Sequence, residues 1–386
     1  MIRIEAGLFG LVFFLGTTFL SALFTVMTPA AAAAQSPGGT TLYVSSAGNN
    51  RNSGTVSSSA YKTIQHAVDI AETIAGSVTI DVYGGSYPEQ VTITPSVGSP
   101  LTTLTLVGGF GGSGATVVQP TSLKQNLNEG TTGYFFDDNT GNTAAIVGVQ
   151  PLNAATATVE DLTIDGSALG GLPPGGMLEG IGFIDASGVI QGNTVENIEQ
   201  PNAMGQAAVH GIEVKSTSQA ENVTVSNNIL LKNPGHVAID LMSRGTLSAV
   251  VSGNQITGTP VSTLSPVAQF GVAAGGLAAL SITGNTISDM SSPWGVGGVW
   301  LDAQGGATCT VADNTLTGND NGIDVNGASG CVISGNTIAA GSAGIAVGEQ
   351  FYGPTVSSNE NVISDNTITG TSTVATTTVT FNGMSP

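Results

Sequence analysis

The chain has 386 residues, 55 of them Gly and only 9% charged, and its 26 acids against 7 Lys and Arg give a formal net charge of −19. So few cations exclude a nucleic-acid partner, because phosphate binding requires positive charge. A mean hydropathy of +0.25 excludes disorder, two Cys exclude a multi-bridge framework, and the Gly-X-Y period of a collagen is absent.

Arg3 precedes an apolar run from Leu8 to about Met27, followed by small residues at Ala30–Ala34. A positive start, an apolar core and a small-residue cleavage site make up a secretory signal. Residues 1–34 are therefore assigned as a signal peptide cleaved after Ala34. The apolar run is about 20 residues long, so an uncleaved anchor remains the alternative. No later segment is apolar enough to span a bilayer. The mature chain is expected to be secreted or on the cell envelope, as a monomer without a membrane span.

Residues 35–76 read as a polar lead-in and a capping helix near 62–74, where Ile64, Val68 and Ala71 share one helical face. An irregular excursion at 121–146 carries the acidic pair Asp137 and Asp138. Residues 77–370 form the repetitive body, and 371–386 a Thr-rich terminal strand or tail.

The repeat decides the fold. Its unit is a strand of the type Gly-Ile-x-Val, a turn, a short strand, an Asn and a third strand. The Asn recurs at Asn193, Asn228, Asn254, Asn285, Asn314, Asn336 and Asn366. The steps between them never fall below 22 residues, as expected of one constant coil with loops of varying length. Asn tolerates the left-handed backbone a corner needs, and its amide can bond the equivalent Asn one coil away. Period-two alternation without helical segments excludes leucine-rich, ankyrin and tetratricopeptide units. The expected fold is all-β, a single-stranded parallel β-helix with a short N-terminal capping helix.

The N-terminal segment adds a resemblance. Leu42–Ser45, Gly48–Asn50 and Tyr61–Val68 are followed by Val78–Ile93, where Tyr87 and Glu89 sit in a V-x-x-G-x-Y-x-E pattern. This resembles the start of the pectin-lyase-like superfamily of right-handed parallel β-helices, over nearly the whole mature chain. The resemblance implies a right-handed solenoid capped by a helix. The superfamily includes lyases, hydrolases, epimerases and proteins without known chemistry.

Aligning the first strand of each coil puts Gly182, Glu213, Asp240, Ala273, Trp300, Asp324 and Ala346 in one column. The neighbouring Ile212, Ile239, Val272, Val299, Ile323 and Ile345 face inward, so the column faces outward, with about 4.8 Å between members. Stacked carboxylates at Glu213 and Asp240 repel unless a cation intervenes. Lys215 and Asp302 point outward two residues further along. His210 and His236 precede the same two strands, and Arg244 follows the second. In the lyases of the superfamily, acids on this face hold calcium while a Lys or Arg removes the C5 proton of a uronic acid. Carried over, the resemblance assigns Lys215 as base, Glu213 and Asp240 as Ca2+ ligands or neutralising acids, and Arg244 to a sugar carboxylate. A hydrolase would use Glu213 and Asp240 as its acid–base pair, although a separation of about 5 Å suits a retaining enzyme. The Arg-x-Pro-x-x-Arg of pectate lyases, the Gly-His-Gly and Arg-Ile-Lys of polygalacturonases and the Asp-Pro-His-Asp of alginate epimerases are absent. The alternative for Glu213, Lys215 and Asp240 is a solvated ion network of the kind common on sheet surfaces. His210 and His236 then become turn or surface residues.

Two long loops, Thr257–Gln269 and Ser288–Gly298, flank this face. Trp294, with Pro293 and Met290, lies on the second, near Trp300. Indole faces suit pyranose stacking, so Trp294, Trp300, Asp302, His210 and His236 are the candidate substrate contacts. Packing of a Trp beneath a loop is the alternative. Cys309 and Cys331 each stand five residues before a ladder Asn and share one inward point of consecutive coils, as a disulfide or a buried thiol stack. The functional expectation is a protein acting on or binding acidic or neutral polysaccharide, with a lyase as its enzymatic form. A non-catalytic envelope or matrix rod is the alternative.

Overall fold

The computed structural model describes residues 39–112, 114–128, 143–170, 177–198, 209–217, 219–231, 237–244, 246–259, 269–290, 297–302, 308–348, 358, 360–370 and 379–380. The segment assigned as a signal peptide, His236, Pro293, Trp294 and the pair Asp137 and Asp138 lie outside the described residues. Among the described residues, no helix is long and apolar enough to cross a membrane.

Each regular coil contributes three strands to three ribbons. The coil with Val209–Ser216, Glu221–Ser226 and Ile229–Leu231 is representative. Equivalent strands of successive coils pair in parallel, from Thr40–Val44 with Gly76–Tyr83 to Thr337–Gly348 with Thr367–Thr369. In two coils the third strand runs straight into the first strand of the next, as Thr315–Asn326 and Thr337–Gly348. The stack ends on Val379–Thr380, which pairs antiparallel with Val362–Ser364.

The core consists of in-register columns of branched aliphatics. Ile212, Ile239, Val272, Val299, Ile323 and Ile345 occupy one rung of the first ribbon. Val195, Leu230, Ile256, Ile287, Leu316, Ile338 and Ile368 do the same in the third. Both columns are buried in one cluster. Parallel register repeats each identity along the axis, so a β-branched side chain stacks on its equivalent. At the corner before the first ribbon the coils approach too closely for any side chain. A Cβ on Gly298 would lie 2.2 Å from the carbonyl oxygen of Gly322, and one on Gly322 2.4 Å from that of Gly344.

The Asn ladder forms at all seven positions. Nδ2 of Asn193, Asn228, Asn254, Asn285, Asn314 and Asn336 each donates to Oδ1 of the next Asn at 2.8–3.0 Å. The same oxygen accepts the backbone N–H of the preceding Asn, as Asn285 does from Asn254 at 3.0 Å. The left-handed backbone, however, falls one residue earlier than expected. Gly192, Asn227, Gly253, Gly284, Asp313, Gly335 and Asp365 take φ between 55° and 67°. The turn residue absorbs the corner, which frees the ladder Asn to point into the stack.

The capping helix, Ile64–Ala71, buries Ile64, Ala67, Val68 and Ala71. Glu89 holds its start: Oε1 accepts the N–H of Ile64 at 2.8 Å and Oε2 that of Gln65 at 2.9 Å. Gln65 in turn accepts the N–H of Thr92 at 2.6 Å and donates to its carbonyl at 3.0 Å. The Glu of the V-x-x-G-x-Y-x-E pattern is therefore a remote helix cap, not a reactive acid. Glu89→Ala should cost about 1–2 kcal/mol, typical of a lost N-cap. Amide exchange would report this as faster exchange at Ile64 and Gln65, with the coils beyond Thr156 unchanged. Cys309 and Cys331 are paired across adjacent coils, with Cα atoms 4.4 Å apart and the sulfurs bonded.

Candidate functional site

The first-ribbon column has the expected register, Gly182–Glu213–Asp240–Ala273–Trp300–Asp324–Ala346. Its environment differs from the expectation. Glu213, Lys215, Asp240 and Asp302 are each only 1% exposed and His210 is fully buried. They form neither a solvated ion network nor an open groove.

His210 is a strand residue in Val209–Ser216, not a turn or surface residue, and stands opposite Glu179 and Val237. His210 projects to the same side as Glu213, which its side chain meets. Its Nδ1 lies 3.2 Å from Glu213 Oε2 and its Nε2 3.6 Å from Asp240 Oδ2. The imidazole thus sits between the two carboxylates. Lys215 is the next outward residue after Glu213 and is paired across strands with Ile184 and Met242.

Sequence reasoning misses Glu179. It stands opposite His210, and its carboxyl lies within hydrogen-bonding reach of Glu213. A Cβ on Gly182 would be 1.9 Å from Glu179 Oε2, so the bare backbone there accommodates the carboxylate. A signal exists in the chain, since Glu179 precedes Gly180 as His210 precedes Gly211, but the first-strand alignment begins one residue later. Burial pushes the Glu213 carboxyl upward. The hydrogen bond from Glu179, then the charge and hydrogen bond of His210, then the charge of Lys215, outweigh it and hold the group down at about 2.

The remaining candidates separate from this cluster. Trp300 stacks on Phe270 with ring centroids 5.6 Å apart and planes 26° apart. Together with Val237, Met242 and Ala273 it forms a small apolar cluster on the outer side of the ribbon. The indole packs against protein instead of offering an open face to a sugar. Asp302 is buried on the same strand. Arg244 is exposed just beyond Val237–Ser243. Two surface cavities of about 670 and 690 Å³ lie elsewhere: one near Gln150, Asp185 and Glu221, the other on the second ribbon around Asn222, Thr224, Ser248 and Ser281.

Asp324, next in the column after Trp300, has its carboxyl pushed up to about 6 by burial, against a lowering hydrogen bond from Asn321. A raised carboxyl opposes folding when ionised, so its penalty applies above pH 6 and disappears as pH falls toward the unfolded value of 3.8. Asp324→Asn should raise stability by about 1–3 kcal/mol at neutral pH. Urea midpoints that showed the gain at acid pH instead would refute this sign.

Calcium takes six to eight oxygen ligands. An ion between Glu213 and Asp240 would meet the imidazole nitrogens of His210 there. The donor set does not fit calcium.

Residues 211–385 match the family described as a right handed beta helix region. The match spans 175 of the 386 residues, less than half of the chain, and agrees with the parallel β-helix that the described residues form. Among solved structures, this β-helix protein is similar to the GH136 lacto-N-biosidase from Eubacterium ramulus in its selenomethionine form. The TM-score is 0.50 at 11% identity, covering 85% of this chain and 67% of that one. It is also similar to XylC in complex with xylose, with a TM-score of 0.44 at 11% identity, covering 84% and 75% of the two chains. For the A-module of the Azotobacter vinelandii mannuronan C-5 epimerase AlgE4 the TM-score is 0.30 at 15% identity, covering 80% and 83%. No curated protein sequence matches. At these identities the first likeness shows a common fold and nothing finer.

Proposed function

We propose that this β-helix protein acts on carbohydrate polymers, with acid–base chemistry on the outer side of the first ribbon. The observation that carries this reading is His210 held between Glu213 and Asp240, with Lys215 one outward position further on. The fold shared with a lacto-N-biosidase supports the substrate class. On a uronic-acid polymer the reaction would be β-elimination. Lys215, having released its ammonium proton to solvent, would take the C5 proton, the C4–O4 bond would break, a C4–C5 double bond would form, and the ammonium so made would return the proton to the leaving oxygen. Ionised Glu213 and Asp240 would orient the imidazole, and exposed Arg244 would meet the sugar carboxylate. The cluster is closed to solvent, so turnover requires this face to open.

The purified chain would be incubated with polyuronates and followed by the absorbance of the unsaturated product. Lys215→Ala and His210→Ala should each lower kcat/KM by about 10²–10⁴-fold, the usual contribution of a positioned acid or base. Variants as active as the parent would refute the site.

A second reading, glycan binding without turnover, is favoured by the open cavity on the second ribbon. Its Asn222, Thr224, Ser248 and Ser281 side chains, interleaved with Val189 and Val250, form a mixed polar and apolar face that a neutral or acidic glycan could reach without rearrangement. Inactivity toward every acidic glycan, with binding retained in Lys215→Ala and lost in Thr224→Tyr, would establish it.

A further inference from the structure

We infer that Glu179, His210 and Glu213 form a binding site for one divalent first-row transition-metal ion of the zinc class. Each residue offers one ligand atom, and these atoms all lie within 4.8 Å of one another. The 3.2 Å between His210 Nδ1 and Glu213 Oε2 matches the separation of about 3.3 Å between ligands held tetrahedrally at zinc distances. Register fixes the arrangement. Glu179 and His210 are directly opposite on adjacent strands, and Glu213 returns to the same side three residues after His210.

Four features point to an ion. The carboxyls of Glu179 and Glu213 meet in a fully buried setting, where two carboxylates need a proton or a cation between them. The bare backbone at Gly182 provides the space in which Glu179 lies. The ring nitrogen of His210 that does not face Glu213 lies 3.6 Å from Asp240 Oδ2, longer than a hydrogen bond as placed but on the side from which an outer carboxylate orients a ligating imidazole after a small shift. Finally, three carboxylates and the Lys215 ammonium sum to −3 + 1 = −2. A neutral imidazole with one divalent ion brings that sum to zero, as a buried site requires. One nitrogen and two carboxylate oxygens suit zinc, manganese or iron better than calcium, and three protein ligands leave a coordination position open.

The site does not depend on the carbohydrate reading, and its test needs no activity. The chain purified without chelator would be analysed for metal by mass spectrometry. After chelator stripping it would be titrated with Zn2+ and, separately, Ca2+, with Tm recorded at each step. The expected result is one Zn2+ per chain, a Tm rise of several degrees with Zn2+ and none with Ca2+. Glu179→Gln should weaken Zn2+ binding by more than the roughly 10–100-fold that follows loss of an outer-shell partner. Asp240→Asn should weaken it by about that amount. If Glu179→Gln does not fold, Co2+ loaded into the unaltered chain should give visible absorption bands of a low-coordinate site, abolished by competing Zn2+. Absence of stoichiometric Zn2+, equal response to Ca2+, binding unchanged in Glu179→Gln or Co2+ bands of a six-coordinate aquo ion would each overturn the assignment.

Discussion

Asn285→Ala should lower the stability of the fold by about 3–5 kcal/mol, because buried polar groups left without partners cost about 1–3 kcal/mol each. Asn285 donates to Asn314 Oδ1 at 2.9 Å and to the carbonyl of Val251 at 3.0 Å. Its own oxygen accepts both the backbone and side-chain N–H of Asn254, at 3.0 and 2.9 Å. Truncation orphans the Asn254 donors and the Val251 acceptor at once, in a column where water does not enter. Asn366 makes equivalent bonds at the partly exposed end of the ladder, accepting from Asn336 and donating to Ile333. Water can substitute there, so Asn366→Ala should cost only about 1 kcal/mol. Urea unfolding of the two variants measures the contrast. Equal midpoints would mean that the ladder contributes no more inside the stack than at its end.

His210→Ala should cost a similar amount, about 3–5 kcal/mol, as expected when one partner of a buried ionic cluster is removed. It leaves Glu213 and Asp240 facing each other without the imidazole between them. The effect should depend on pH with a definite sign. Glu213 titrates at about 2 in the fold against 4.5 when free. A depressed carboxyl contributes stability that is fully present above the free value and lost as pH falls through the folded one. In the unaltered chain that loss should therefore occur between pH 4.5 and about 2. His210→Ala removes part of what holds Glu213 ionised, so its acid slope in this window should be shallower. A variant within about 0.5 kcal/mol of the parent, with the same acid slope, would behave as a surface substitution and exclude the ion pair. A double-mutant cycle with Glu213→Gln separates the pairwise coupling from the loss of packing.

Sequence is most informative where a repeating backbone imposes a repeating residue. The seven ladder Asn, the inward aliphatic columns and the register of Glu213, Asp240, Trp300 and Asp324 all follow from counting along one coil. The corner conformation lies one residue away from its expected place: Asn tolerates a left-handed backbone, but here the preceding residue, mostly Gly or Asp, adopts it. The placement of His210 fails for a related reason. Alternation counted back from inward Ile212 would turn a strand residue at 210 inward. His210 instead reaches Glu213 and Asp240 on the outer side, a departure that a period of two does not register.

Counting along the chain is enough to establish a parallel β-helix and to place three of its seven Lys and Arg on two adjacent coils. Lys215, Lys232 and Arg244, with His210 and His236, fall within residues 210–244. That the outer side of the first ribbon is closed from Glu179 to Asp302, and only partly so at Asp324 and Ala346, emerges only in the tertiary structure. Alternation reports which side of a strand a residue faces, but not whether that side meets solvent. Burial is set by the whole fold, and it changes the chemistry of the same residues. Solvated, Glu213, Lys215 and Asp240 would form a weak surface network. Enclosed with Glu179 and His210, they must balance charge among themselves, with a proton or a cation between the carboxylates.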